Sequence, residues 1–192
     1  MIKESFFPTL VYAKDVNLDN DKISNDIVKW SQIDKGVEKT NMGGWHSTTD
    51  MASKPEYESL VKELIIMQQE IYKEELIERQ PKLGNMWANI NPKNAYNDWH
   101  VHPNCLFSGV YYSKANPNSG HLKISDPRSG TQLVMPVRQN KKLPHDLWRE
   151  VRVPPITGRI VMFPAWLWHK VEPNLSDDIR ISVSFNFIQE GF

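Results

Sequence analysis

From residue 84 onward, short apolar-rich runs alternate with clusters of turn-forming residues. The runs are residues 86–90, 106–112, 121–125, 132–137, 148–153, 159–163 and 179–187. Between them stand Asn91-Pro92, Asn116-Pro117-Asn118-Ser119-Gly120, Asp126-Pro127, Pro154-Pro155, Thr157-Gly158 and Glu172-Pro173-Asn174. Glycine reaches positive φ freely, proline pre-sets φ and withholds a donor, and Asn and Asp bond their own backbone, so each cluster marks a reversal. Many short strands at regular spacing predict an antiparallel sandwich or barrel.

The first third has a different texture. Residues 6–12 read as an edge strand, because Pro8 cannot donate to a ladder. A helix follows, capped by Asp19 or Asn20, with Ile23, Ile27 and Trp30 at helical spacing. Residues 34–50 are polar, with Gly36, Gly43 and Gly44, and predict a loop or a hairpin. A second helix opens at Ser53 or Lys54-Pro55, and Leu60, Leu64, Met67 and Ile71 form one apolar stripe. It is expected to stop near Gln80-Pro81, since a residue before proline avoids the α region. The stripe serves either the core or a homodimer face. The expectation is one domain over residues 1–192, with a helical part (1–83) packed on a β core (84–192).

Composition narrows the classes. The 192 residues are 40% hydrophobic and 24% charged, an ordinary globular balance with a core of useful size. Formal net charge is zero, which gives no electrostatic reason to expect nucleic acid or an anionic membrane. Residues 1–5 lack the apolar segment of a signal peptide, and no run approaches a membrane span. Cys105 is the single cysteine, so no internal disulfide can form, and a cytoplasmic setting is expected. It reads as a small core residue, with nothing nearby to activate its thiol. Seven tryptophans suggest an aromatic core or pocket wall.

Three histidines carry the candidate chemistry. His100 and His102 lie in Trp99-His100-Val101-His102-Pro103, where an extended backbone puts both imidazoles on one face, suited to gripping one metal ion. His169 follows much later, after the turn and strand of residues 158–164. Arg180 then begins a sharply alternating strand. Arg180, Ser182, Ser184 and Asn186 share one face; Ile181, Val183, Phe185 and Phe187 share the other. The polar face meets either solvent or a pocket. In a pocket, the planar fork of Arg180 suits a carboxylate, and Ser182 adds a hydroxyl to it.

This order resembles the Fe(II)- and 2-oxoglutarate-dependent dioxygenases, and within them the short phage and bacterial oxygenases. The matching segments are His-x-His-Pro at 100–103, Ser-Gly-Val-Tyr-Tyr at 108–112, Asp-Pro-Arg at 126–128 and Arg-Ile-Ser-x-Ser-Phe-Asn at 180–186. The chain is more distantly similar to prolyl hydroxylases. The resemblance covers roughly residues 84–190. It implies a double-stranded β-helix (a jelly roll), Fe(II) with 2-oxoglutarate as co-substrate, ascorbate as a support for activity, and hydroxylation of a small-molecule or peptide substrate. Carried across, His100 and His169 are ligands, Arg180 with Ser182 holds the far carboxylate of 2-oxoglutarate, and Tyr112 contacts the same co-substrate. Where the family has Asp or Glu as second ligand, this chain has His102. A carboxylate from Asp126 or Asp98 is the alternative third ligand or an acceptor for an imidazole N–H.

Two rivals stand beside this reading. One is a three-His cupin-type dioxygenase without 2-oxoglutarate, which has no need of an anchor at Arg180. The other is a jelly-roll binding protein that lacks the chemistry. His46 lies in a candidate lid or substrate loop, with solvent as the default environment for a loop histidine. His121 and His145 have no informative context, and Arg128 is expected to pair with a nearby acid. No phosphate loop, Cys-x-x-Cys pattern or nucleophile elbow is present.

Overall fold

A computed structural model describes residues 1–4, 6–79, 81–128 and 143–188. The strand expected over residues 132–137 lies outside them. The elements run β1 (Tyr12–Asp15), α1 (Asn20–Ile33), β2 (Asn41–Met42), β3 (Trp45–His46), α2 (Glu58–Glu74), β4 (Lys82–Asn91), β5 (Tyr96–His100) and β6 (Phe107–Lys114). They continue through β7 (Leu122–Ser125), β8 (Glu150–Val153), β9 (Arg159–Pro164), β10 (His169–Val171) and β11 (Arg180–Ile188).

The strands form two antiparallel sheets. The larger has the order β1-β9-β6-β11-β4-β3 and the smaller β2-β5-β10-β7-β8. This is the expected mainly-β jelly roll, with helices on one side. The first third also contributes strands to both sheets. The edge strand foreseen over residues 6–12 forms later, at Tyr12–Asp15 against β9. The 34–50 segment is not a hairpin on itself, because β2 pairs with β5 and β3 pairs with β4.

Each face of the larger sheet has its own partner. Ile181, Val183, Phe185 and Phe187 of β11, with Met86 and Ala88 of β4, pack against Ile23 and Ile27 of α1 and Leu60, Leu64, Met67 and Ile71 of α2. Fully burying such a side chain contributes about 1.5–3 kcal/mol, so this layer anchors the fold. The α2 stripe therefore belongs to the intramolecular core. The inner face of the sheet meets the smaller sheet through Val110, Tyr112, Leu122, Ile124, Val161, Phe163 and Leu167.

Local chemistry sets the helix ends. Asp19 accepts the Lys22 N–H at 2.9 Å, capping α1 as the sequence implies. Pro55–Tyr57 forms a 3-10 turn that leads into α2. That helix stops at Glu74, before the expected Gln80-Pro81. Leu76 turns left-handed (φ 56°), and Ile77 N–H donates to Tyr72 C=O at 2.9 Å, which closes the helix as a Schellman-type end. Among the described residues, no helix is long and apolar enough to cross a membrane.

Candidate metal centre

β5 and β10 are neighbours, and His169 stands directly across from His100. His102 lies just past the end of β5, and its backbone N–H donates to Ala165 C=O at 3.0 Å. These constraints bring one ring nitrogen of each histidine to within 4.8 Å of the others. His102 Nε2 and His169 Nε2 are 3.3 Å apart. Cis ligands bound about 2.1 Å from one metal stand roughly 3.0–3.4 Å apart, so this spacing fits a shared ion.

The other ring nitrogens settle the tautomers. His169 Nδ1–H donates to Leu167 C=O at 2.7 Å and His100 Nδ1–H to Asp98 C=O at 2.6 Å. A carbonyl oxygen only accepts, so both Nδ1 atoms carry the proton and both Nε2 lone pairs are free to bind metal. His102 Nδ1 faces the side-chain amide of Asn186 at 3.4 Å. Burial, then the neighbouring His100, pulls the His169 pKa to about 3 and that of His102 to about 4. Burial also lowers His100. All three rings are thus neutral at neutral pH, the form a metal requires.

The carboxylate alternatives lie elsewhere. The Asp98 side chain accepts its neighbour Trp99 N–H at 2.7 Å, and it is the Asp98 backbone carbonyl that serves His100. Asp126 forms a two-pronged ion pair with Arg128, 2.9 Å to Nε and 2.7 Å to Nη2, the pairing expected of Arg128. Among the described residues, the His/Cys/Asp/Glu group with metal-binding spacing consists of His100, His102 and His169.

A cavity of about 280 Å³ lies between the sheets, and the three histidines, Tyr112, Ser182, Ser184 and Asn186 all contribute to its wall. The polar face of β11 therefore meets a pocket and not solvent. Arg180, 1% exposed, is not itself among the lining residues; it lies two positions before Ser182 on β11, and Ser182 pairs with Tyr112 across the ladder. Its Nη1 donates to the backbone carbonyls of Ser119, Gly120 and Glu172. Its Nε and Nη2 are buried without a partner, as is the hydroxyl of Tyr112. Burial lowers Arg180 to about 10, with Tyr112 partly opposing, so the guanidinium stays charged at neutral pH. Burial pushes Tyr112 up to about 12, leaving it a neutral donor.

Several residues of the cavity carry no signature in the sequence. Trp87 and Asn89 project inward from β4, alternating with the core residues Met86 and Ala88. His46 is not solvated: it is 6% exposed and stacks on Trp87 at 5.4 Å between ring centroids, with 12° between planes. The inward Asn85-x-Trp87-x-Asn89-x-Asn91 alternation was a readable signal for β4; for His46 there was none. Cys105 is half-buried and burial raises its thiol, in line with an inert role. His121 lies at the surface near Glu172, and His145 beside Trp148, both away from the cluster.

Comparison with known proteins agrees with this geometry. A family model described as "Putative 2OG-Fe(II) oxygenase" matches residues 85–186. No curated protein matches the sequence. Among solved structures, a Pseudomonas putida prolyl-4-hydroxylase is similar, with a TM-score of 0.66 at 15% identity over 95% of this chain and 94% of that one. A Trichoplax adhaerens prolyl hydroxylase, solved with a hypoxia inducible factor peptide fragment, gives 0.64 at 12% identity, covering 94% and 84%. HygX from Streptomyces hygroscopicus, solved with nickel and 2-oxoglutarate, gives 0.63 at 12%, covering 96% and 84%. At these identities the structural likeness establishes the fold.

Proposed function

Since the chain belongs to the 2OG-Fe(II) oxygenase family, we propose that it hydroxylates a small molecule or peptide, with His100, His102 and His169 as iron ligands and Arg180, Ser182 and Tyr112 as the 2-oxoglutarate anchor. Membership makes the protein an oxidoreductase that uses Fe(II) and 2-oxoglutarate. The observation that carries the residue assignment is the half-satisfied guanidinium of Arg180. Its Nη1 corner is fixed by three backbone carbonyls, while the Nε/Nη2 edge is buried and unpaired beside the unpaired Tyr112 hydroxyl. Burying a charge without partners costs several kcal/mol, and a carboxylate that accepts two parallel N–H bonds and one O–H bond removes that cost. A three-His enzyme without 2-oxoglutarate has no use for this arrangement.

The donor set also fits the metal. Three neutral imidazoles, two with their Nδ1–H fixed by carbonyls, would suit Fe(II) through their Nε2 atoms. Bound iron supplies the redox capacity to activate oxygen against a C–H bond. The chain's own residues do the rest. Arg180, Ser182 and Tyr112 hold the far carboxylate and so aim the keto acid at the histidines. Phe163, 4.7 Å from the His169 ring, and Trp87, 5.8 Å from His102, wall the site against water.

Succinate release in the presence of Fe(II), ascorbate and 2-oxoglutarate tests the activity. The variant Arg180→Ala is expected to retain iron and lose 2-oxoglutarate binding, and His169→Ala to lose iron. Unchanged 2-oxoglutarate affinity in Arg180→Ala overturns the anchor assignment.

A further inference from the structure

The cavity has a second polar end. β3 and β4 set His46 and Asn89 directly across from one another. Both are buried and both form part of the wall. Each carries an acceptor atom, and that of Asn89 is buried and unmet. His46 Nδ1 lies 2.6 Å from the Ser47 carbonyl oxygen, so Nδ1 carries the proton and Nε2 keeps its lone pair. Asn89 donates Nδ2 to Ser184 Oγ at 3.2 Å, and its Oδ1 is buried with no partner. The His46 ring stacks on Trp87, whose other neighbour is His102. The shelf therefore leads to the metal centre along one aromatic surface.

2-Oxoglutarate satisfies neither acceptor, because the dianion carries no N–H or O–H. The donors must come from another molecule. Charge narrows its class. Among the described residues that line the cavity there is no Asp or Glu, and Lys39 stands at the rim. Asp98 is exposed, and its side chain accepts the backbone N–H of Trp99. Burial, with Lys39 adding a smaller push, lowers the His46 pKa and keeps the ring an acceptor. An ammonium or guanidinium in this space finds no counter-charge, and a carboxylate brings no donor. A planar, neutral group with two N–H bonds meets both acceptors.

We propose that the shelf of His46, Trp87 and Asn89 binds a primary carboxamide or ureido group of the substrate. The assignment rests on the iron and 2-oxoglutarate reading above, since it fills the remaining space of the same cavity. The probes are benzamide, benzoate and benzamidine, which share a ring and differ as neutral, anionic and cationic. They are titrated into the full chain loaded with Mn(II) and 2-oxoglutarate, and paramagnetic broadening of the probe's ring protons reports binding beside the metal. Benzamide is expected to broaden saturably, with the other two at least about tenfold weaker, the effect of one lost or unpaired hydrogen bond. His46→Phe keeps the stack and removes the acceptor, and should weaken benzamide about tenfold as well. Asn89→Ala serves as a second variant should His46→Phe melt early. Absence of benzamide broadening, equal or tighter binding of either charged probe, or benzamide binding indifferent to both substitutions overturns the shelf. Mn(II) loading by electron paramagnetic resonance and 2-oxoglutarate binding by calorimetry are read on the same samples. If those two fail, the metal-site reading fails and the shelf with it; if they hold and benzamide does not bind, only the shelf falls.

Discussion

Replacing Gly120 with alanine should disable the 2-oxoglutarate site without touching any residue that contacts the co-substrate. Gly120 adopts φ 89°, a conformation that costs a residue with a Cβ on the order of 1–3 kcal/mol. A Cβ built there lies 2.1 Å from Glu172 O, 2.8 Å from Pro173 O and 2.8 Å from Arg180 Nη1. Two of those atoms are rigid backbone, so the turn must move. Ser119, Gly120 and Glu172 supply the carbonyls that fix Nη1. Each such bond to a charged donor is worth about 1.5–3 kcal/mol, and their loss frees the fork to rotate away from the carboxylate proposed for it. Loss of one well-aimed N–H bond already weakens 2-oxoglutarate about tenfold; loss of both parallel bonds gives about a hundredfold. Calorimetric titration of 2-oxoglutarate into Mn(II)-loaded protein measures this, with a thermal melt alongside. The expected result is a melting temperature lowered by several degrees, roughly 2–4 °C per kcal/mol for a chain of this size, and metal affinity near the parent value. Parent-like 2-oxoglutarate affinity in a folded Gly120→Ala protein refutes the idea that these carbonyls pre-aim Arg180.

Other outcomes follow from the same geometry. His102→Asp removes one unit of positive charge from the centre; Fe(II) should bind about tenfold tighter or more and 2-oxoglutarate more weakly, as separate titrations would read, and unchanged affinities for both refute a role for His102 at the metal. Ser182→Ala should weaken 2-oxoglutarate by about threefold to tenfold with metal binding intact; no change places that hydroxyl outside the anchor. The metal-free protein should lose stability in acid. The folded pKa values of His169 and His102, about 3 and about 4, lie below the ordinary value of about 6.5, so the unfolded chain binds more protons between those limits. The contribution is fully present above about pH 6.5 and is lost as pH falls toward the folded values. Urea midpoints measured in chelator across that window should decline on acidification, and a flat profile counts against buried neutral imidazoles.

Much of this was legible in the sequence, and the reasons are physical. β11 is apolar on one face because that face meets the helices, and polar on the other because that face meets the cavity. Strand alternation exposes such a division to direct reading. The His-x-His pair was legible for the same reason. β10 was not, since its three residues are too few to show a period. The left-handed turn at Leu76 was hidden because leucine gives no sign of it. The partners of Arg180 Nη1 are backbone carbonyls, which any residue supplies, so no sequence pattern records them. His46 was unreadable because residues 34–50 look like a solvated loop. Only the pairing of β2 with one sheet and β3 with the other draws it inside.

The register of β11 against β6 carries a further consequence for the anchor. From Phe187 to Ser182 the pairing is regular, ending with Ser182 across from Tyr112. Ile181 then pairs with Lys114, so Ser113 is an extra residue on β6, a bulge one residue from Arg180 in the ladder. Without it the ladder would continue as Ile181 across from Ser113 and Arg180 across from Lys114. Because partners across a ladder share a face, Lys114 would then point inward, and two cations would stand opposite one another in the interior. The bulge turns Lys114 outward, where its Nζ meets Asp178 at 2.8 Å on an exposed face. Arg180 is left buried, with Tyr112 near enough to oppose the effect of burial on its charge. A local break in the ladder thus does two things that a regular strand pair cannot. It keeps Arg180 from being repelled by its own neighbour, and it leaves the unpaired Nε/Nη2 edge of the guanidinium suited to a carboxylate, as the proposed anchor role requires.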